Sequence, residues 1–374
     1  MTTLQIGMTA SRHHVSGTDR YYLSLLRALP SLGVGVRGVV LGDPQGIDDP
    51  VPGVESFAAE GASRWQRWRG LRDAVRRAMR GVDLVVSHGA PHAFPAIDRL
   101  RARPLVVHFH GPWALEGRAA GLDPARVFVR RLQERTVYAR GARFIVLSEA
   151  FGAILRRTYG VDANAVRVIP GGVDLRRFAA LASRRDARRM LGWPQDRPIV
   201  ATARRLVATK GLEELIDAVV TLRRSVPDVL VAIVGTGPLR DALAQRAQQQ
   251  GVAEAVHFAG HLSEEQLPLA YRAADCVVVP SVALEGFGLT VVEALACGTP
   301  ALVTPVGGLP EVVRDLDPAL VLEASTPDAI ARGLAAALRG DVPLPDSDAC
   351  VDYARRFGWQ TIAAQVRDVY REVA

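Results

Sequence analysis

Short apolar runs alternate with longer amphipathic stretches along the whole chain. The apolar runs are rich in Val, Ile and Leu, as buried parallel strands usually are, and the stretches between them have helical spacing. This alternation predicts an α/β fold with parallel sheets and crossover helices. Twelve strands are predicted, in two series: Leu4–Met8, Val36–Leu41, Leu84–Ser87, Leu105–His110, Phe144–Leu147 and Val166–Ile169, then Ile199–Ala203, Leu230–Val234, Val256–Ala259, Cys276–Pro280, Ala301–Thr304 and Leu320–Leu322.

The two series are divided near Pro170-Gly171-Gly172, which predicts two Rossmann-like doubly wound domains facing across an interdomain cleft. A chain of 374 residues with 49% hydrophobic content is long enough for two cores. The start of the chain lacks the features of a secretory signal, and no apolar run approaches the ~18–20 residues that span a bilayer. Three cysteines without metal-ligand spacing predict reduced thiols in a cytoplasm.

Charge is distributed unevenly between the two halves. Residues 1–172 hold 24 basic and 14 acidic residues (+10), which leaves 22 basic and 25 acidic residues (−3) for the remainder. Residues 62–80 predict a helix that carries Trp65 and Trp68 among seven arginines. Two interpretations stay open: peripheral contact with an anionic membrane at its inner face, or a crossover helix that packs on its own sheet under an Arg-rich surface. Binding to nucleic acid is not expected, because no recognised module accompanies the charge.

The segment from Glu285 to Glu293 follows an apolar strand and predicts a Gly-containing loop and then a helix from about Leu289 to Gly298. Such a loop presents backbone N–H groups to an anion. Carboxylates accept hydrogen bonds from paired sugar hydroxyls. Two carboxylates beside a phosphate-binding loop suit a nucleotide sugar, which has a sugar at each end of its diphosphate.

A second cluster lies just after the strand Ile199–Ala203. It contains Arg204, Arg205 and Lys210, and Lys210 is the only lysine in the chain. A compact ammonium and a neighbouring guanidinium suit a diphosphate.

Over essentially its whole length the sequence resembles the family-4 retaining glycosyltransferases of the GT-B fold. The E-x7-E element matches as Glu285 and Glu293, and the G-R-L-x-x-x-K-G element matches from Arg205 to Gly211, with Arg204 in place of the usual glycine. The resemblance implies that Glu285 contacts the transferred sugar, Glu293 binds ribose, and Arg205 and Lys210 hold the diphosphate. It also implies donor contacts from a larger set: Gly17, Arg204, Gly235, Gly286, Phe287, Gly288 and Leu289.

In the N-terminal half, His110 ends a strand, and the family places a histidine here against the donor sugar. His108 competes for this role, because strand alternation points it to the same side. The segment from Ser16 to Arg20 resembles the family's loop over the diphosphate, with Ser16 at the position of its first glycine; Asp19 and Arg20 are expected on the acceptor side. His13, His14, His88 and His92 are given no role.

The resemblance implies a domain of residues 1–172 on the acceptor side, joined by a returning C-terminal helix within 357–374, and a donor domain of residues 173–356. The expected activity is retaining hexosyl transfer from a nucleotide-diphosphate sugar, with UDP favoured over GDP, to a hydroxyl that is lipid-linked or at a membrane surface. No cofactor or metal is expected, and Asp48-Asp49 is interpreted as a loop pair. The alternatives are a soluble acceptor, a nucleotide-sugar epimerase and a sugar-binding protein.

Overall fold

The computed structural model describes residues 1–10, 17–46, 50–179 and 182–374. Ser16, His13, His14 and the pair Asp48-Asp49 therefore lie outside the described residues. Contacts divide the chain into two compact units, the first formed by residues 1–172 with 359–374 and the second by residues 173–358.

The first unit is built on a seven-stranded parallel sheet. In chain order its strands are β1 (Thr2–Ala10), β2 (Gly35–Gly42), β3 (Val54–Ala58), β4 (Leu84–His88), β5 (Leu105–Phe109), β6 (Arg143–Val146) and β7 (Val166–Val168). The order across the sheet is β3-β2-β1-β4-β5-β6-β7. This is the order of a Rossmann sheet, whose topological switch point lies between β1 and β4.

Helices cover both faces of this sheet. They are α1 (Gly17–Ala28), α2 (Arg64–Ala78), α3 (Ala90–Ala93), α4 (Trp113–Ala119), α5 (Pro124–Tyr138) and α6 (Glu149–Tyr159). The side chains of α2, α3, α5 and α6 pack with one set of alternate strand positions, including Leu4 and Ile6. Those of α1 pack with the other set, including Leu84 and Val86.

The second unit repeats the plan with five parallel strands: β8 (Ile199–Ala203), β9 (Leu230–Val234), β10 (Val256–Gly260), β11 (Cys276–Val279) and β12 (Ala301–Val303). Their order, β10-β9-β8-β11-β12, places the switch point between β8 and β11. The helices are α7 (Leu175–Phe178), α8 (Arg184–Leu191), α9 (Leu212–Ser225), α10 (Arg240–Gln249), α11 (Gln266–Ala273), α12 (Leu289–Ala296), α13 (Leu309–Val313), α14 (Pro327–Arg339) and α15 (Ser347–Ala354).

The last helix, α16 (Trp359–Arg371), packs on the first unit. Its buried face, which includes Ile362, Val366 and Tyr370, joins the core formed by α1 and the sheet. The prediction of a C-terminal helix that returns to the N-terminal domain is therefore confirmed.

One predicted strand was wrong, and one strand of the structure was not predicted. The edge strand β3 was not predicted, because its sequence V-E-S-F-A is short and only Val54 among its residues is buried. The predicted strand Leu320–Leu322 is a 3-10 turn followed by a single bridge between Val303 and Val321. Pro318 and the Asp317 side chain, which accepts a hydrogen bond from the Ala319 N–H, favour this turn over an extended strand.

Candidate active site

The Arg205–Gly211 and Glu285–Glu293 elements of the second unit meet at its switch point, where the loops after β8 and β11 lie together. The N–H of Val282 donates to the carbonyl of Thr209 at 3.1 Å. Gly211 adopts a left-handed conformation with φ of 69°, and a Cβ on it would lie 1.7 Å from the carbonyl oxygen of Pro280. Glycine therefore follows Lys210 for a steric reason, because only a residue without a Cβ lets these two loops approach so closely.

Glu285 is the centre of a partly buried charge cluster at this edge. Its Oε2 accepts hydrogen bonds from Lys210 Nζ at 2.8 Å, from Arg204 Nη2 at 2.9 Å and from Ser281 Oγ at 2.8 Å. Burial alone would raise the pKa of Glu285, but the charges of Lys210 and Arg204 outweigh it and lower the pKa to about 2. Glu285 is therefore ionised throughout the physiological range.

The loop after Glu285 leads directly into α12. Its last residue, Gly288, has a φ of 89° and precedes a helix whose N-terminus has no side-chain cap. The carbonyl of Glu285 accepts a hydrogen bond from the N–H of Gly308 at 2.9 Å, and a Cβ on Gly307 would lie 2.0 Å from that carbonyl oxygen. An uncapped helix N-terminus behind a glycine is suited to an anion such as a diphosphate.

Glu293 lies one turn inside α12 and is 7% exposed. The Tyr271 hydroxyl donates to its Oε2 at 2.8 Å. The Thr290 hydroxyl on the same helix donates to the carbonyl of Ala203, the last residue of β8, at 2.9 Å. The E-x7-E spacing therefore places one carboxylate before the loop and the other, held by a tyrosine, in the helix that follows it.

The structure separates the two adjacent arginines. The Arg204 side chain is 5% exposed and contacts Glu285, whereas Arg205 is exposed and stands outside the Glu285 cluster. Gly235, at the end of β9, packs against the Arg204 backbone, since a Cβ there would lie 2.1 Å from the Arg204 carbonyl oxygen. In the loop, Phe287 is buried, with its ring centroid 5.7 Å from that of Phe357.

In the first unit, three histidines gather at the carboxyl ends of β4 and β5. His88 Nδ1 lies 3.2 Å from His110 Nε2, and the His88 and His108 rings stack with centroids 4.5 Å apart. His108 is enclosed between the hydroxyls of Tyr21, at 3.2 Å from its Nδ1, and Tyr370, at 2.8 Å from its Nε2. His108 is thus fully engaged within the protein, and His110 is the better candidate for a ligand contact.

These histidines are held neutral. Burial, reinforced by the neighbouring histidines, lowers the pKa of His88 and His108 well below the usual value. Burial and then His92 lower the pKa of His110 to about 3. Burial also lowers the pKa of His92 to about 4, against the opposing charge of Asp19.

The first turn of α1 contains the other predicted residues of this unit. Gly17 begins the helix and is exposed, and Arg20 is half-buried. Asp19 is 7% exposed, and its Oδ1 accepts a hydrogen bond from the N–H of Thr9 at 3.1 Å. Asp19 therefore ties α1 to the end of β1, beside the switch point.

The three histidines also form the one cluster in the described part of the chain that could hold a metal ion, with a ligand atom from each within 4.8 Å of the others. Two observations oppose this use. The rings lie within 21° of parallel, so their lone pairs do not converge, and both nitrogens of His88 and of His108 already have protein partners. The expectation of a metal-independent site stays a prediction.

Comparison with known proteins identifies the family. The model described as Glycosyl transferases group 1 matches residues 183–357, and the model for Glycosyltransferase Family 4 matches residues 15–177. A D-inositol 3-phosphate glycosyltransferase of Actinosynnema mirum is 34% identical over 370 residues, which cover 91% of this chain and 84% of that protein. The chain belongs to glycosyltransferase family 4.

A further sequence relative and a solved structure extend the comparison. A Streptomyces scabiei D-inositol 3-phosphate glycosyltransferase is 35% identical over 71% of this chain, but the match spans only 62% of that relative's length. The structure of Anabaena Alr3699/HepE in complex with UDP aligns with a TM-score of 0.79 and 20% identity, covering 100% of this chain and 99% of that one. The family-4 chain thus has the GT-B fold expected from its sequence. Among its described residues, no helix is both long enough and apolar enough to cross a bilayer.

Sequence reasoning missed several polar residues that shape these sites. Ser281 and Tyr271 hydrogen-bond the two glutamates, His88 contacts His110, and Gln5 contacts His88. A usable signal existed for Gln5 and His88, because each is a polar residue in an apolar strand next to the switch point.

Proposed function

We propose that this family-4 protein is a retaining, metal-independent glycosyltransferase that moves a hexosyl group from a nucleotide-diphosphate sugar, UDP in preference to GDP, to a hydroxyl acceptor. The observation that carries the proposal is the ionised Glu285 held by Lys210 and Arg204 beside an uncapped helix N-terminus. It combines a carboxylate for sugar hydroxyls with positive charge for a diphosphate. The UDP complex of the HepE neighbour supports the choice of base.

The chemistry follows from this arrangement. The ammonium of Lys210 has three N–H donors, so it can keep its contact with Glu285 while it donates to a leaving diphosphate. Stabilising the negative charge that develops on the departing diphosphate lowers the barrier to breaking the glycosidic bond. Glu293, with its Tyr271 partner, is proposed to bind the ribose hydroxyls, and Arg205 to reach the phosphates from its exposed position.

Thermal stabilisation by UDP, GDP, ADP and CMP tests the donor site in the wild type, in Lys210→Met and in Glu293→Gln. A ligand at 100 times its Kd adds about 2.7 kcal/mol of stability, which a melting curve resolves. We expect UDP to stabilise the wild type and both substitutions to weaken the effect. If no nucleotide at millimolar concentration shifts the melting temperature of the wild type, the donor site does not exist.

Turnover assays distinguish a glycosyltransferase from an epimerase and from a sugar-binding protein. A transferase hydrolyses or transfers the sugar with release of nucleoside diphosphate and keeps the anomeric configuration. An epimerase would convert one nucleotide sugar into another without any acceptor, and a sugar-binding protein would bind without turnover. Either of those results would contradict the proposal.

The first unit also presents a surface suited to an anionic membrane, which would make the acceptor lipid-linked or a membrane-surface glycan. Trp65 on α2 is 64% exposed and stacks on the 39% exposed Trp68. On α5, three large apolar side chains stand in solvent among exposed arginines: Phe128, Val129 and Leu132. Both helices cover the same face of the sheet, so apolar and basic groups share one layer.

Vesicle binding tests the membrane contact. We expect sedimentation with phosphatidylglycerol vesicles that salt weakens, little binding to phosphatidylcholine, and a loss of binding in Phe128→Ser/Leu132→Ser. Met190→Ser removes an equally exposed apolar side chain from the second unit and serves as the matched control. Indifference of the wild type to vesicles, with full turnover on a soluble acceptor, would favour the alternative suggested by the inositol phosphate relatives. The three buried free cysteines support action in a reducing cytoplasm.

A further inference from the structure

A chain of buried hydrogen bonds runs through the sheet of the first unit toward His110. The Thr3 hydroxyl donates to the carbonyl of Gly35 at 3.2 Å, and the Gln5 amide nitrogen donates to Thr3 Oγ1 at 3.0 Å. Gln5 Oε1 lies 2.9 Å from His88 Nε2, and His88 Nδ1 lies 3.2 Å from His110 Nε2. Thr3 and Gln5 are fully buried and His88 is 1% exposed, so water does not compete for these contacts.

Each bond in the chain fixes the direction of the next. The Gly35 carbonyl only accepts, so the single proton of the Thr3 hydroxyl is used there and its oxygen is free to accept from the Gln5 amide. The amide oxygen then faces His88, whose Nε2 must carry a proton to donate to it. The neutral His88 has its lone pair on Nδ1, so His110 must donate from Nε2.

A further observation supports this direction. His110 Nδ1 is buried and has no hydrogen-bond partner among the described residues. If the hydrogen bonds ran in the opposite direction, His110 Nδ1 would carry a proton and would be a buried N–H donor without an acceptor. Such a donor is rarer and more costly in proteins than an unpaired acceptor.

We propose that Thr3, Gln5 and His88 are positioning residues that hold His110 as the Nε2–H tautomer, so that its Nδ1 accepts a hydrogen bond from a hydroxyl of the transferred sugar. The second part of this inference rests on the proposed function. A hydroxyl can donate to this nitrogen, whereas an ionised phosphate oxygen has no proton to donate. The chain of hydrogen bonds therefore disfavours a phosphate at His110 Nδ1. Gly7 belongs to the same arrangement, because a Cβ on it would lie 3.0 Å from His88 Cβ.

Nitrogen-15 NMR of protein with ring-labelled histidine tests the tautomer directly, with the His110 signals assigned from their absence in His110→Asn. We expect Nε2 protonated and Nδ1 unprotonated in the wild type at neutral pH. A protonated His110 Nδ1 would overturn the proposal without any substitution in the chain.

Substitutions then test which residues set the tautomer. Gln5→Leu removes the acceptor that faces His88, and we expect His110 to become a mixture of tautomers. Tyr22→Phe is the control: it removes the hydroxyl that donates to the main-chain carbonyl of Gln5 at 3.3 Å and leaves the amide alone, so the His110 spectrum should not change. An unchanged His110 spectrum in Gln5→Leu would show that the chain of hydrogen bonds does not set the tautomer of His110.

The ligand contact is tested by titrating the labelled wild type with UDP-glucose and with UDP. A hydrogen bond from a sugar hydroxyl should move the Nδ1 resonance toward that of a hydrogen-bonded nitrogen with UDP-glucose only. An unmoved Nδ1 at saturating UDP-glucose would refute the sugar contact. If neither compound binds, as judged by melting temperature, the donor assignment itself fails while the tautomer result stands.

Discussion

Lowering the pH from 7.5 to 5.5 is expected to destabilise the first unit strongly. An unfolded histidine has a pKa near 6.5 and takes up a proton in this range. His88, His108 and His110 are expected to stay neutral in the folded protein over this range, because burial lowers the pKa values of His88 and His108 well below the usual value and that of His110 to about 3. The unfolded state therefore binds more protons, and stability falls as the pH falls.

The magnitude follows from the linkage relation. Between pH 7.5 and 5.5 a histidine that titrates only when unfolded costs about 1.4 kcal/mol, so the three together cost about 4 kcal/mol. His92, with a pKa of about 4, adds about the cost of one further histidine. Glu134 acts in the opposite direction, because burial raises the pKa of its carboxyl.

Urea unfolding followed by tryptophan fluorescence measures the effect. The background Trp193→Phe leaves four tryptophans, all in the first unit. The slope of unfolding free energy against pH gives the number of protons taken up on unfolding. In His108→Gln this number should be lower by nearly one near pH 5.5. A total loss of less than about 1 kcal/mol in the wild type would refute the assignment of three buried neutral histidines.

Three further predictions concern the second unit. Glu285→Gln should cost about 3–5 kcal/mol in a urea melt, because it leaves the Arg204 guanidinium buried without its carboxylate, and it should lower turnover at least about 100-fold. Gly211→Ala should cost well over 2 kcal/mol, whereas Gly251→Ala, with a φ of 68° and open space around it, should cost about 1 kcal/mol; equal losses would show that the contact with Pro280 is not limiting. Tyr271→Phe should weaken UDP binding several-fold in calorimetry, whereas Tyr353→Phe, which removes a hydroxyl bonded to the Val312 carbonyl, should leave it unchanged.

Much of the fold could be predicted because buried parallel strands are short apolar runs. Eleven of the twelve predicted strands correspond to strands of the structure, and the start of α12 at Leu289 agrees with the prediction. The failures occur where the signal is weak. β3 is an edge strand with little buried surface, and only one residue of the run at Leu320 pairs with the sheet.

The helix in residues 64–78 shows a second limit. One interpretation of this segment was a crossover helix that packs on its own sheet, but only the C-terminal part of the helix is buried, including Leu71 and Val75. Trp65 and Trp68 are exposed because they lie in the first two turns, where the helix contributes no buried side chain. Periodicity shows which residues share a face but not how far along the helix its neighbours reach.

The candidate site shows the same limit at the level of single residues. Spacing matched Arg205 to the family's arginine, yet the guanidinium on Glu285 comes from Arg204, at the position where the family has glycine. A chain that turns at a strand end points adjacent side chains in different directions, so spacing alone could not decide between them. The buried Arg204 Nε and Nη1 have no hydrogen-bond partner among the described residues, and the desolvation of these groups lowers the pKa of Arg204. Because an unpaired buried donor is costly, a ligand that accepts hydrogen bonds from these two groups of Arg204 would stabilise the folded second unit.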